Sequence, residues 1–147
     1  MPDTAPPRGY ILGFDFGLRR IGVAVGQTAT HTASSLETVS HGRQPDWAAI
    51  ERLVKEWKPA ALLVGLPLGA EGEETSMSRA ARRFGAALRK RFALDVAYAD
   101  ERLSSRAAGD RFAELRASGN LRKKDASQLD AMAAQIILEN WLQTHLP

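Results

Sequence analysis

Two short apolar runs with a tight basic joint between them, Tyr10–Gly26, constrain this chain more than any other stretch. Ile11, Leu12 and Phe14 belong to the first run; Ile21, Val23 and Val25 alternate in the second. Both have the length and the β-branched or aromatic content of strands. Gly17-Leu18-Arg19-Arg20 is about as long as a hairpin loop. Asp15 is the odd residue. It stands near the turn-ward end of an apolar strand, where a buried carboxylate is costly, so a metal ion or a partner cation is the expected compensation. An Asp before a Gly at a strand end also serves as a turn residue that bonds nearby amides. The stretch alone leaves both readings open.

Beyond the hairpin, Ser34–Val39 has the composition of a third, more exposed strand. Pro45-Asp46 then opens a helix in which Trp47, Ile50, Leu53, Val54 and Trp57 recur at helical spacing, and Pro59 ends it. Ala60–Leu66 is a continuous apolar run, as expected for a central strand buried on both faces. Pro67–Glu74 reads as a mobile loop, and Thr75 or Ser76 caps a helix over Met77–Phe92. Asp95–Ala99 is a last short strand, followed by Asp100-Glu101-Arg102. Ser104 or Ser105 opens a helix to about Ala117, broken by Ser118-Gly119-Asn120. A basic loop, Arg122-Lys123-Lys124-Asp125, precedes a final helix over Ser127–Gln143.

The order is β-β-β-α-β-α-β-α-α. Three strands on short turns form an antiparallel meander, and the later strands, reached through helices, run parallel to the first. The expected fold class is α/β: a ribonuclease H-like mixed five-stranded sheet with helices on both faces. At 147 residues the chain reads as one domain over 10–147 behind a disordered arm at 1–9. The absence of cysteine excludes a disulfide framework and a thiolate zinc site. The proline-rich start is no signal peptide, and no run approaches the roughly 20 apolar residues that span a bilayer. A soluble cytoplasmic protein is expected. Positive charge is concentrated: Thr75–Ala126 holds 13 Lys and Arg against 6 Asp and Glu, in a chain of net charge +3. That half suits a polyanion such as nucleic acid, although solvated helix faces are also commonly Arg-rich.

Three acids occupy unusual places. Asp15 closes the first strand, Glu101 follows the last, and Asp130 lies in the first turn of the expected final helix. Parallel strands end on one rim, so Asp15 and Glu101 can converge there, and a helix across the rim can supply Asp130. Each has a plainer role. Ser127-Gln128-Leu129-Asp130 matches a capping box, and Glu101 beside Arg102 makes a surface ion pair. Like charges gathered on one rim cost stability unless a cation sits among them. Hard carboxylate oxygens select Mg²⁺ or Mn²⁺.

Gly13-Phe-Asp-Phe-Gly17, Arg20-Ile-Gly-Val-Ala-Val-Gly26, Val64-Gly-Leu-Pro-Leu68, Asp100-Glu-Arg-Leu-Ser104 and Asp130-Ala-Met-Ala-Ala-Gln-Ile-Ile-Leu138 resemble the YqgF/RuvX family over about Tyr10–Leu142. Its members are ribonuclease H-like bacterial proteins, described as Holliday junction resolvases and as nucleases maturing the 5′ end of pre-16S ribosomal RNA. The resemblance implies a metal-dependent phosphodiesterase with Asp15, Glu101 and Asp130 as the acidic triad. It implies one or two Mg²⁺ or Mn²⁺ ions on those acids. Arg19, Arg20, Arg102, Lys123 and Lys124 are the candidate nucleic-acid contacts. This chain departs from the pattern at Leu18, usually a small polar residue, and at Gln128, often Lys. A monomer trimming an RNA end is favoured over a dimeric junction cutter. Two other classes stay open: a non-catalytic nucleic-acid-binding protein, and a phosphotransferase of the actin type, which needs a second Asp-x-Gly hairpin that this chain lacks.

Overall fold

The computed structural model describes residues 8–103 and 123–146, the side chains of residues 103 and 123–127 excepted. Strands β1 (Tyr10–Phe16), β2 (Arg20–Gln27) and β3 (Thr32–Ser40) form the meander. Helix α1 (Trp47–Trp57) leads to β4 (Ala61–Leu66), and α2 (Ser76–Phe92) leads to β5 (Val96–Asp100). A single 3₁₀ turn, Glu101–Leu103, follows β5, and α3 (Lys123–His145) closes the described fold. The sheet order is β3-β2-β1-β4-β5, with β4 and β5 parallel to β1. This is the expected mixed five-stranded sheet, with β1 at its centre.

The helix boundaries follow from local chemistry. Asp46 caps α1, its side chain accepting from the Ala49 N–H at 3.2 Å. Lys58 ends that helix in a left-handed conformation (φ 46°), and Pro59 cannot continue it. Thr75, one of the two candidate caps, closes a reciprocal pair with Ser78: Ser78 N–H donates to Thr75 Oγ1 at 3.0 Å, and Thr75 N–H to Ser78 Oγ at 2.7 Å.

Alternation along the strands sorts side chains onto two unlike faces. Leu12, Phe14 and Phe16 of β1, Ile21, Val23 and Val25 of β2, and Leu62, Val64 and Leu66 of β4 meet Ile50 and Leu53 of α1 and Phe84 and Leu88 of α2. The opposite face is lined by small residues. A Cβ on Gly13 or Gly26 would press on Leu138, which lies with Ile137 and Leu142 in a second cluster over Ile11, Ala24 and Leu63. Helix α3 lies in this shallow lane, close to the backbone. It also reaches the sheet edge: Gln135 Nε2 donates to the Ala33 carbonyl at 3.2 Å, and Ala33 N–H donates to Glu139 Oε2 at 3.1 Å.

Four expectations change. The last helix is already under way at Lys123, so Lys123 and Lys124 stand in helix, not in a basic loop, and Asp130 is two turns in instead of in the first turn. Ser127 and Asp130 therefore form no capping box. The physical reason is that 123–145 contains neither Gly nor Pro, so nothing local stops the helix at Ser127. Gly9, assigned to a disordered arm, is tied to Thr28 by two hydrogen bonds of 3.0 Å. The third strand is longer than Ser34–Val39, because β2 supplies partners over its whole length. Pro67–Glu74, expected as a mobile loop, is cross-tied: Gly69 N–H donates to Glu73 O, Gly72 N–H to Gly69 O, and Thr75 Oγ1 to Pro67 O, all at 2.9 Å. The arm residues 1–7, the expected helix from Ser104 or Ser105 to Ala117, its break at Ser118-Gly119-Asn120, and Arg122 lie outside the described residues. No helix among the described residues is long and apolar enough to cross a membrane.

Candidate functional site

Asp15 ends the small-residue side of β1, on the same face as Gly13. Directly across from it in β2 is Gly22. A Cβ built on Gly22 would overlap the carbonyl oxygen of Asp130, so α3 crosses the sheet at this point only because no side chain intervenes. Glu101 approaches from the other flank. It follows β5 immediately and rests on Gly65 of β4, where a Cβ would come within 2.7 Å of Oε1. The ends of β1 and β5 thus deliver Asp15 and Glu101 to one rim, and α3 delivers Asp130 beside them.

The first two acids touch. The side chains of Asp15 and Glu101 are hydrogen-bonded to each other. Burial, the largest cause, raises the pKa of both. The shared hydrogen bond lowers Asp15 and raises Glu101, and the Asp15 charge raises Glu101 further. Glu101 is pushed to about 9 from an ordinary 4.5. The two carboxyl groups therefore hold a shared proton well above the ordinary carboxylate range. Asp130 adds repulsion at Asp15. It is itself held by a cation, Arg20 Nε donating to Oδ2 at 2.6 Å. Among the described residues, no three His, Asp or Glu side chains stand in a group able to hold a metal ion.

The donor set nevertheless fits a hard divalent cation. Two carboxyl groups in contact and partly withdrawn from water favour sharing a proton, and a cation relieves the same repulsion. Gly65 leaves the space that the Glu101 carboxyl group occupies, and Gly22 lets the Asp130 backbone close beside Asp15. Asp130 would complete the set once its contact with Arg20 is exchanged.

The strain of the acid pair has a measurable signature. A carboxyl group raised in the folded state binds a proton that the unfolded chain has released. Between about pH 4.5 and about pH 9 the folded chain holds more protons, so its stability falls as pH rises. The Glu101→Gln chain, whose amide donates to Asp15 without titrating, should lose this slope. In metal-free buffer at pH 8 it should be more stable than wild type by about 2 kcal/mol, or about 4–8 °C in melting temperature. Thermal melts from pH 5 to 9 with EDTA test this; parallel curves for the two chains would refute it.

The cations are spread over several elements. Arg19 and Arg20 lie at the hairpin joint, both exposed, next to an exposed Leu18. His41 fastens this joint, its Nδ1 2.8 Å from Gly17 O while its N–H donates to Arg19 O at 3.0 Å. Arg102 is engaged elsewhere: Nη2 donates to Asp100 Oδ2 at 2.6 Å, and Nη1 to Ala70 O at 3.1 Å. It braces the 67–75 loop against the end of β5 and draws Asp100 below the usual carboxylate range. On α2, Arg82 is bonded to Glu74 at 2.8 Å and Arg91 stacks on Trp47 at 4.2 Å, while Arg79, Arg83, Arg89 and Lys90 are exposed. The side chains of Lys123 and Lys124 lie outside the described residues.

Sequence reasoning missed Gly22, Gly65 and His41. The small residues alternating through Gly22, Ala24 and Gly26 signal a close-packed face and were readable. For His41 no local signal exists.

Comparison with known proteins bears on this geometry. A family model described as "RuvX: Holliday junction resolvase" matches residues 9–144. A Xanthomonas euvesicatoria protein named "Putative pre-16S rRNA nuclease" is 47% identical over 145 residues, covering 97% of this chain and 94% of its own. A Hydrogenovibrio crunogenus protein of the same name is 47% identical over 140 residues, covering 95% and 97%. Among solved structures, Thermus thermophilus RuvC in complex with a Holliday junction substrate matches with a TM-score of 0.57 at 17% identity, covering 90% of this chain and 93% of that one. That likeness is one of fold, and it supports the ribonuclease H-like class.

Proposed function

The chain belongs to the RuvX family, and from that footing we propose that it is a nuclease that hydrolyses phosphodiester bonds in 5′-end processing of pre-16S ribosomal RNA, in the cytoplasm and as a monomer. One observation carries the mechanism: the ends of β1 and β5 place Asp15 and Glu101 in side-chain contact, with Asp130 arriving across Gly22. Asp15, Glu101 and Asp130 would hold one or two Mg²⁺ or Mn²⁺ ions, whose chemistry when bound is to activate water and stabilise the leaving oxygen.

The remaining work falls to the chain. Asp15, on the central strand, offers oxygens towards both flanking acids. Glu101 would serve as a ligand only after the proton it shares with Asp15 has passed to solvent. Arg19 and Arg20, at the mouth of the site, hold the phosphate that is to be cut. Arg102 keeps the turn carrying Glu101 in place through Asp100 and Ala70. The exposed cations of α2, with Lys123 and Lys124, bind flanking phosphates, which positions the strand without reading its bases.

The test is cleavage of a labelled panel: precursor 16S rRNA, single strands, duplexes and four-way junctions, each with Mg²⁺, Mn²⁺ or EDTA. Cleavage of the precursor RNA with metal, lost in EDTA and in Asp130→Asn, is the expected outcome. Symmetrical cutting of the junction with the RNA left intact would move the assignment to a resolvase, which needs two sites in a dimer. Binding of nucleic acid without metal uptake or cleavage would leave a non-catalytic binding protein.

A further inference from the structure

Arg20 begins β2, opposite Ser40, and the next residue on its side of the strand is Gly22, over which the Asp130 backbone passes. The 2.6 Å contact between Arg20 Nε and Asp130 Oδ2 therefore bridges the hairpin joint and α3 at the mouth of the acid site. Both partners reach water: the Arg20 side chain is 49% exposed and that of Asp130 29%. An ion pair this open is weak and exchanges readily. It also occupies one of the two Asp130 carboxylate oxygens, for which a divalent cation held with Asp15 and Glu101 would compete. A guanidinium cannot lose its proton, so it cannot stay beside a newly seated divalent cation without repulsion.

We propose that Arg20 is a positioning residue with two partners in turn. It holds Asp130 near Asp15 while the acids lack a cation, and on cation uptake it releases Asp130 and turns to the phosphate of the bound strand. The proposal rests on the acids being a divalent-cation site. The guanidinium stands in for the cation by charge, and the arriving phosphate then offers it a new anion of matching fork geometry. No covalent step is involved.

Two measurements without nucleic acid test it. The first is the ¹H–¹⁵N signal of Arg20 Nε during a Mg²⁺ titration of the unmodified chain. It should move to the position it has in the metal-free Asp130→Ala chain, because both states lack the same hydrogen bond. The second is Mn²⁺ binding by calorimetry to wild type, Arg20→Gln and Arg20→Lys. The Gln chain should bind about tenfold tighter, since the competitor is gone, and the Lys chain should stay within about threefold of wild type. A merely structural Arg20 would leave Mn²⁺ affinity unchanged or weaken it. An unmoved Nε signal at saturating Mg²⁺, or equal Mn²⁺ affinities in wild type and Gln, would overturn the exchange alone. No metal binding by either chain would overturn the metal-site assignment with it.

Discussion

An Asp15→Asn chain is expected to lose cleavage by about 10⁴–10⁶-fold, the order seen when one member of a catalytic group is removed, while remaining folded and still binding nucleic acid. The physical reason is position. Asp15 ends the central strand and faces Glu101 directly, with Asp130 close enough to repel it. Removing its charge removes the one donor that reaches both flanking acids. It should not unfold the chain, because an amide relieves the repulsion that burial imposes on the acid pair. Glu101→Gln and Asp130→Asn should each lose activity to a similar degree, and the triple change should cost little more than one alone, as groups acting together do. Single-turnover cleavage, melting temperature and filter binding together check this. A pure Asp15→Asn preparation cutting at the wild-type rate would end the assignment.

The second large effect is expected at Gly22. Alanine there places a methyl group onto the Asp130 carbonyl, backbone against backbone, where neither side can turn away. The cost should reach about 3 kcal/mol, the upper part of the range for overpacking, or a fall of about 6–12 °C in melting temperature. Cleavage should fall further than stability explains, because α3 must shift and take Asp130 with it. Gly26→Ala is the comparison: the atoms nearest its new Cβ belong to the side chains of Leu142 and Leu138, the closest a terminal methyl at 2.7 Å, and a side chain can shift where a backbone carbonyl cannot. That chain should lose about 1 kcal/mol and keep its activity. Equal stabilities for the two variants would show that α3 does not lie on β2 as described.

The strands were legible because alternation and run length are local properties. Ile21, Val23 and Val25 announce one buried face of β2, and Ala60–Leu66 announces a strand covered on both sides. The order of elements then restricts the sheet to few arrangements, which is why the rim shared by Asp15 and Glu101 followed from the sequence. What was not legible depends on partners far along the chain. Asp130 meets Arg20 across 110 positions, and no spacing rule reports that. The start of α3 was misjudged for the opposite reason: a strong local signal, Ser127 followed by Asp130, matched a cap that the surrounding helix formers override. Arg102 is a candidate phosphate contact by proximity alone, and the sequence does not show that its Nε and Nη2 bond its own neighbour Asp100.

The contacts at Ala33 bear on how copies of the chain behave in a crowd. β3 is a border strand, and a border strand left bare invites another molecule's strand to join it, the first step towards fibres. Here two side chains one helical turn apart, Gln135 and Glu139, occupy the main-chain N–H and C=O of Ala33, two of the groups that such a visitor would use. The helix that carries Asp130 thus also covers part of this open edge.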